Sequence, residues 1–117
     1  MPSSYSHSQT QIAITQGGPG QLDLVLAATV GTGCLVYVTA IAISLSATGT
    51  ITFQEGTGPT ALSGAMDFPA AGGMVNIGNG TDAVLQTLTP GVKLGLTSTG
   101  GVAKGWMRYY IAPAGQG

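Results

Sequence analysis

Charge is what this sequence has least of. Only 6% of its 117 residues are Asp, Glu, Lys or Arg, against about a quarter in an ordinary soluble domain. Four acids and three bases leave a formal net charge of -1. That excludes the phosphate-contacting stripe of a nucleic-acid binder and any field that would steer anionic lipid. It also removes the repulsion that keeps free proteins apart, so such a surface suits a subunit of an assembly. Cys34 is the single cysteine. No intrachain disulfide and no cysteine-based zinc cluster can therefore form, and the residue reads as a small buried hydrophobe. His7 is the single histidine, in a Ser-rich start where nothing fixes its position, which leaves no base for a hydrolytic triad. The opening "MPSSYSHSQTQ" has no Lys, no Arg and no apolar stretch. It does not read as a secretory signal, and the expected compartment is a cytosol. On that expectation Asn79-Gly80-Thr81 reads as turn chemistry rather than a glycan site.

Other chemistry also falls away. The acids Asp23, Glu55, Asp67 and Asp82 are scattered among different segments with no spacing that makes a catalytic pair. They read as solvated carboxylates. "GGPG", "GTG" and "GNG" lack the Lys-Ser/Thr or the spaced glycines that phosphate loops require. "GNGTD" carries one carboxylate where calcium loops assemble several oxygen ligands. The expectation is a protein that is not an enzyme, with no catalytic residue, cofactor or metal.

What is present is glycine, threonine and short apolar runs. The charge-free stretch Leu24 to Leu45 is apolar enough to raise a membrane helix, but it is broken by Gly31-Thr32-Gly33, rich in β-branched residues and unflanked by basic anchors. Two strands around a glycine turn fit it better, and no membrane partner is expected. In the second strand one parity collects Leu35, Tyr37, Ile41, Ile43 and Leu45, and the other Val36, Val38, Ala40, Ala42 and Ser44. The bulky set is assigned to the core. The small set, Val36, Val38, Ala40 and Ala42, is assigned to a subunit interface in a homodimer or homotrimer.

"TITFQE" places Ile51 and Phe53 inward, with Thr50, Thr52 and Gln54 outward. Short segments follow at "ALSGAMDF", "GMVNI", "AVLQTL" and "VKLGLT", cut by Gly- and Pro-containing turns too frequent for long helices. The expected fold is all-β: an antiparallel, jelly-roll-like β-sandwich of about eight strands. An immunoglobulin-like sandwich shares that strand count. Residues 1–10 read as a flexible N-terminal arm, 11–112 as one β-sandwich domain and 113–117 as a C-terminal tail.

The last strand holds two of the three basic residues. Lys104, Trp106, Arg108 and Tyr110 share one parity, Ala103, Met107, Tyr109 and Ile111 the other. Trp, Tyr and Arg are the types enriched at interaction hot spots, so the first set reads as a docking face, with Tyr5 on the arm as an added anchor. The competing arrangement buries Trp106 and turns Met107 and Tyr109 outward.

The run from "LVYVTAIAISLSATGTITFQEGTGPTALSGAM" to "VKLGLTSTGGVAKGWMRYYIA" resembles small β-rich head decoration, or cement, proteins of tailed phages. The features that carry the resemblance are "TITFQEG", "ALSGAM", "LGLTSTGG" and the closing strand with Gly-Trp and paired tyrosines. It implies a structural virion protein on the head exterior, assembled in the host cytoplasm, that clamps neighbouring major capsid protein subunits. A carbohydrate- or receptor-binding β-sandwich of a phage tail or fibre, with Trp106 and Tyr110 stacking on sugars, is the alternative.

Overall fold

Alternating apolar residues between glycine turns build strands that lie in two sheets facing each other across one core. The computed structural model describes residues 8–69, 74–78 and 82–115. Its strands are β1 (Thr10–Thr15), β2 (Gly20–Val25), β3 (Cys34–Leu45), β4 (Gly49–Glu55), β5 (Thr60–Ala61), β6 (Met66–Phe68), β7 (Met74–Gly78), β8 (Leu85–Gln86), β9 (Leu94–Thr99) and β10 (Ala103–Pro113), with one helical turn, α1 (Ala27–Val30). The stretch before the Gly31 turn is thus only partly strand. After Val25 the chain coils into α1, whose Val30 plugs the core, so the expected pair of strands around that turn is corrected to a strand, a helical turn and a long strand. Ala27 and Ala28 permit the coil, having no β-branch.

The first sheet runs β1-β10-β3-β7, with β8 also on β3, and the second runs β2-β9-β4-β5, with β6 also on β4. Every pairing is antiparallel. β5 and β6 occupy successive parts of one edge, as do β7 and β8, so the architecture is eight strand positions in two sheets of four. Consecutive strands alternate between sheets until β5 and β6, and the first and last strands are neighbours. That order is a jelly roll, and it separates this chain from the immunoglobulin arrangement, whose sheets are built from other neighbours.

The core is lined by Val36, Val38, Ile41, Ile43 and Leu45 of β3, Ile51 and Phe53 of β4, Leu94 and Leu96 of β9, and Ala103, Met107 and Tyr109 of β10. β4 and β10 bury the faces expected of them. β3 does not keep one parity. Its register against β10 slips between Arg108 and Tyr109, where Ala40 and Val38 are the successive partners and Thr39 is the extra residue. A bulge of this kind exchanges the two faces of a strand. Val36 and Val38, assigned above to a subunit interface, are therefore fully buried in the core. Leu35 and Tyr37, assigned to the core, lie on the opposite face with Tyr110 and Ala112. The Thr39 hydroxyl is held at the bulge, donating to Gln9 Oε1 at 2.7 Å and approaching the Arg108 carbonyl at 3.3 Å.

Among the described residues no helix is long and apolar enough to cross a membrane.

Candidate docking face

β10 is the middle of the first sheet and dictates what its outer face carries. Strand alternation turns Met107 and Tyr109 inward, so Lys104, Trp106 and Arg108 stand outward. The competing arrangement, with Trp106 in the core, is not the one adopted. Beside them the ladder sets Thr15, Ala13 and Gln11 of β1 on one side, and Ser44, Ala42 and Ala40 of β3 on the other. Asn76 and Gly78 of β7 follow opposite Ala42 and Ala40. Trp106 therefore rises half-buried from a floor of Ala13, Ala42 and Ala40, side chains too small to hide it.

The Arg108 guanidinium lies 5.7 Å from the centre of the Trp106 ring, within cation–π range. It also donates to Gln11 Oε1 at 3.0 Å. Both contacts hold a long, rotamer-rich side chain in one place before any partner arrives, which lowers the entropy lost on binding. Lys104 is exposed one turn of the pleat away. Ala40 and Ala42 do lie on this outer face, tucked beneath Arg108 and Trp106.

Tyr110 belongs elsewhere. Beyond the bulge its ring stacks on Tyr37 at 5.1 Å and 15° between planes, and both rings are buried. Burial pushes the Tyr110 hydroxyl pKa upward, with the neighbouring Tyr37 and Asp82 adding to the shift. Tyr110 so pins the end of the sheet rather than joining the exposed strip. Tyr5 and His7, together with Asn79–Thr81, lie outside the described residues.

The second sheet presents a different outer face. Thr50 and Thr99 share a hydrogen bond of 2.7 Å, and Thr97 donates to Gln54 at 2.8 Å. Asp23 and Asp67 stand on this same side, opposite Gly95 and Thr50, and Lys93 bonds Asp23 at 3.0 Å. Thr50, Thr97, Thr99, Gln54 and Asp23 find their partners on this face. Charge is thus segregated: two cations on the face of the first sheet, two of the acids on the face of the second.

Glu55 departs from the scattered-carboxylate expectation. It is buried at the end of β4, where Oε1 accepts from the Leu88 and Thr89 amides at 2.6 and 3.2 Å and Oε2 from the Thr89 hydroxyl at 2.8 Å. It ties the loop from β8 to β9 down across the sandwich and leaves the Leu88 side chain 68% exposed. Leu88 forms part of the rim of an open depression of about 320 Å³ lined by Ala61, Leu62, Val84 and Leu85. Those side chains offer no nucleophile or general base. Glu55→Ala is expected to destabilise the fold by about 1.5–3 kcal/mol, the range for hydrogen bonds to a charged group. Hydrogen exchange at Leu88 and Thr89 should accelerate along with it. Unchanged exchange there would mean that the loop holds itself.

Gln16 does comparable work at the other end of the sandwich. Its Oε1 accepts from the Ser98 hydroxyl and the Ala103 amide, both at 2.7 Å, while its Nε2 donates to the Gly20 carbonyl at 2.8 Å. One amide thereby links β9, β10 and the start of β2. Cys34 is half-buried against the core. Among the described residues no three His, Cys, Asp or Glu side chains gather as a metal site.

No family model, no curated protein and no solved structure matches this chain.

Proposed function

We propose that this protein is a structural virion subunit that decorates a phage head, laying the outer face of its first sheet across neighbouring major capsid subunits and holding them together. The observation that carries this reading is the strip Lys104–Trp106–Arg108. It combines a half-buried indole, a guanidinium already stacked on it and a second cation, on a flat alanine floor without a carboxylate among the described residues of that strip. A protein partner with acidic and apolar groups is its chemical complement. The opposite face, with paired threonines and two aspartates, is suited to water. A shell subunit also needs no reactive group, and contacts repeated over a lattice let modest individual affinities add up. Arg108 lies over one side of the Trp106 ring, which disfavours a sugar stacking there.

The test is to add purified protein to heads that lack decoration and to measure occupancy and survival on heating. Trp106→Ala is expected to weaken binding by about 2 kcal/mol or more, some thirtyfold per site, as for a central aromatic hot spot. Arg108→Ala should weaken it too and reduce its sensitivity to salt. Full occupancy by both variants, each shown to be folded, would overturn the assignment of this face.

A further inference from the structure

Among the described residues the sandwich has four open edges, and three of them are defended. On β2, Asp23 and its partner Lys93 place charge at the edge, and the register slips between Asp23 and Val25. The edge made by β5 and β6 is cut into pieces of two and three residues and carries Asp67. The edge made by β7 and β8 is likewise interrupted, with pieces of five and two residues. Charge, bulges and short strands are the means by which sheets avoid pairing with other chains. β1 has none of them. It runs six residues, "TQIAIT", without charge, Gly or Pro, and in unbroken register with β10.

We propose that β1 pairs antiparallel with β1 of a second copy of this chain, joining the two first sheets into one. The direction of its free peptide groups fixes the register. Gln16 N donates to the Ala103 carbonyl at 3.1 Å, so by ladder alternation Ile14 and Ile12 turn their peptide groups toward β10. Gln11, Ala13 and Thr15 turn theirs to the open side. A two-fold axis at Ala13 sets Ala13 opposite its counterpart and Gln11 opposite Thr15, and each such pair exchanges two hydrogen bonds. Between them Ile12, half-buried in one copy, meets Ile14 of the other, a β-branched cross-strand pair. No like charges oppose each other across the axis. In an isologous pair every charged residue of the strand would be duplicated nearby, and β1 carries none.

The axis stands perpendicular to the joined sheet, so both Lys104–Trp106–Arg108 strips face the same way. Pairing itself does not depend on the docking role. Its test is mass in solution by light scattering at high micromolar concentration. The wild-type chain should show about twice the monomer mass, and Ala13→Pro should return it to the monomer. Proline is tolerated at an edge position whose N–H points outward, but it cannot donate to a second strand. Ala13→Lys, at an exposed position, places two cations at the axis and should act alike. Trp106→Ala should leave the mass at twice the monomer, which separates pairing from docking. A monomeric or trimeric wild type overturns the proposal. So does a dimer that survives in Ala13→Lys with its strand circular dichroism intact, whether or not Ala13→Pro folds.

Discussion

Phe53→Ala is expected to remove about 3–5 kcal/mol from the stability of the fold, the range for deleting a buried aromatic ring. Phe53 is 1% exposed and among the largest fully buried side chains. It belongs to β4, with β9 on one side and the β5 and β6 edge on the other, and its ring reaches across to the face that β3 and β10 present. Its own backbone is already committed. The amide donates to the Ser63 hydroxyl at 3.0 Å, and the carbonyl accepts from Leu62 at 2.8 Å and Ser63 at 3.3 Å. The strand therefore cannot slide to close the hole, and the lost packing is recovered only in part. Against a usual total of about 5–15 kcal/mol for a domain, the variant should be marginal. Urea unfolding followed by far-ultraviolet circular dichroism measures it. A loss under about 1 kcal/mol would mean that the space between the sheets collapses freely.

Gly105→Ala should cost roughly 2–4 kcal/mol, from backbone strain and overpacking together. Gly105 sits in the centre of β10, paired to Ile14 on one side and Ile43 on the other, with φ at 153°. A Cβ there would run into the Ala42 carbonyl oxygen and crowd the Ile43 Cα. Both are backbone atoms of the neighbouring strand and cannot rotate aside. Gly18→Ala is the control. Its φ is ordinary and no atom lies near the added carbon, so stability should change by less than about 1 kcal/mol. Equal stability of the two variants would show that β10 and β3 can separate without penalty.

Legibility from sequence varied with the kind of information each element carries. Ile51 and Phe53 alternate with threonines, and Met107 and Tyr109 with Lys104, Trp106 and Arg108, so a two-residue period suffices to assign their faces. Along β3 nearly every residue is apolar on both sides of Thr39, and a slip of one position leaves no mark in such a pattern. The bulge is fixed by pairing with Arg108 and Tyr109, residues distant in the chain, so parity alone sends Val36 and Val38 to the wrong face. Parity groups Tyr110 with Trp106 because it records direction but not cover. Glu55 and Gln16 gave no local signal at all, since their partners arrive from other strands. The unguarded character of β1 likewise emerges only when its edge position is known.

The neighbours of β10 have a temporal consequence. β1 and β3 never touch each other through a ladder; each is bonded to β10, which follows them by most of the chain. As the polypeptide leaves the ribosome, two uncharged strands must wait with open sides for a partner not yet synthesised. Closing loops of that length before any contact rewards them makes folding slow, and the waiting interval is when uncharged strands find the wrong neighbours. At high expression the hazardous period is the time before β10 emerges, and a chaperone that shields extended strands should raise the yield of folded subunits.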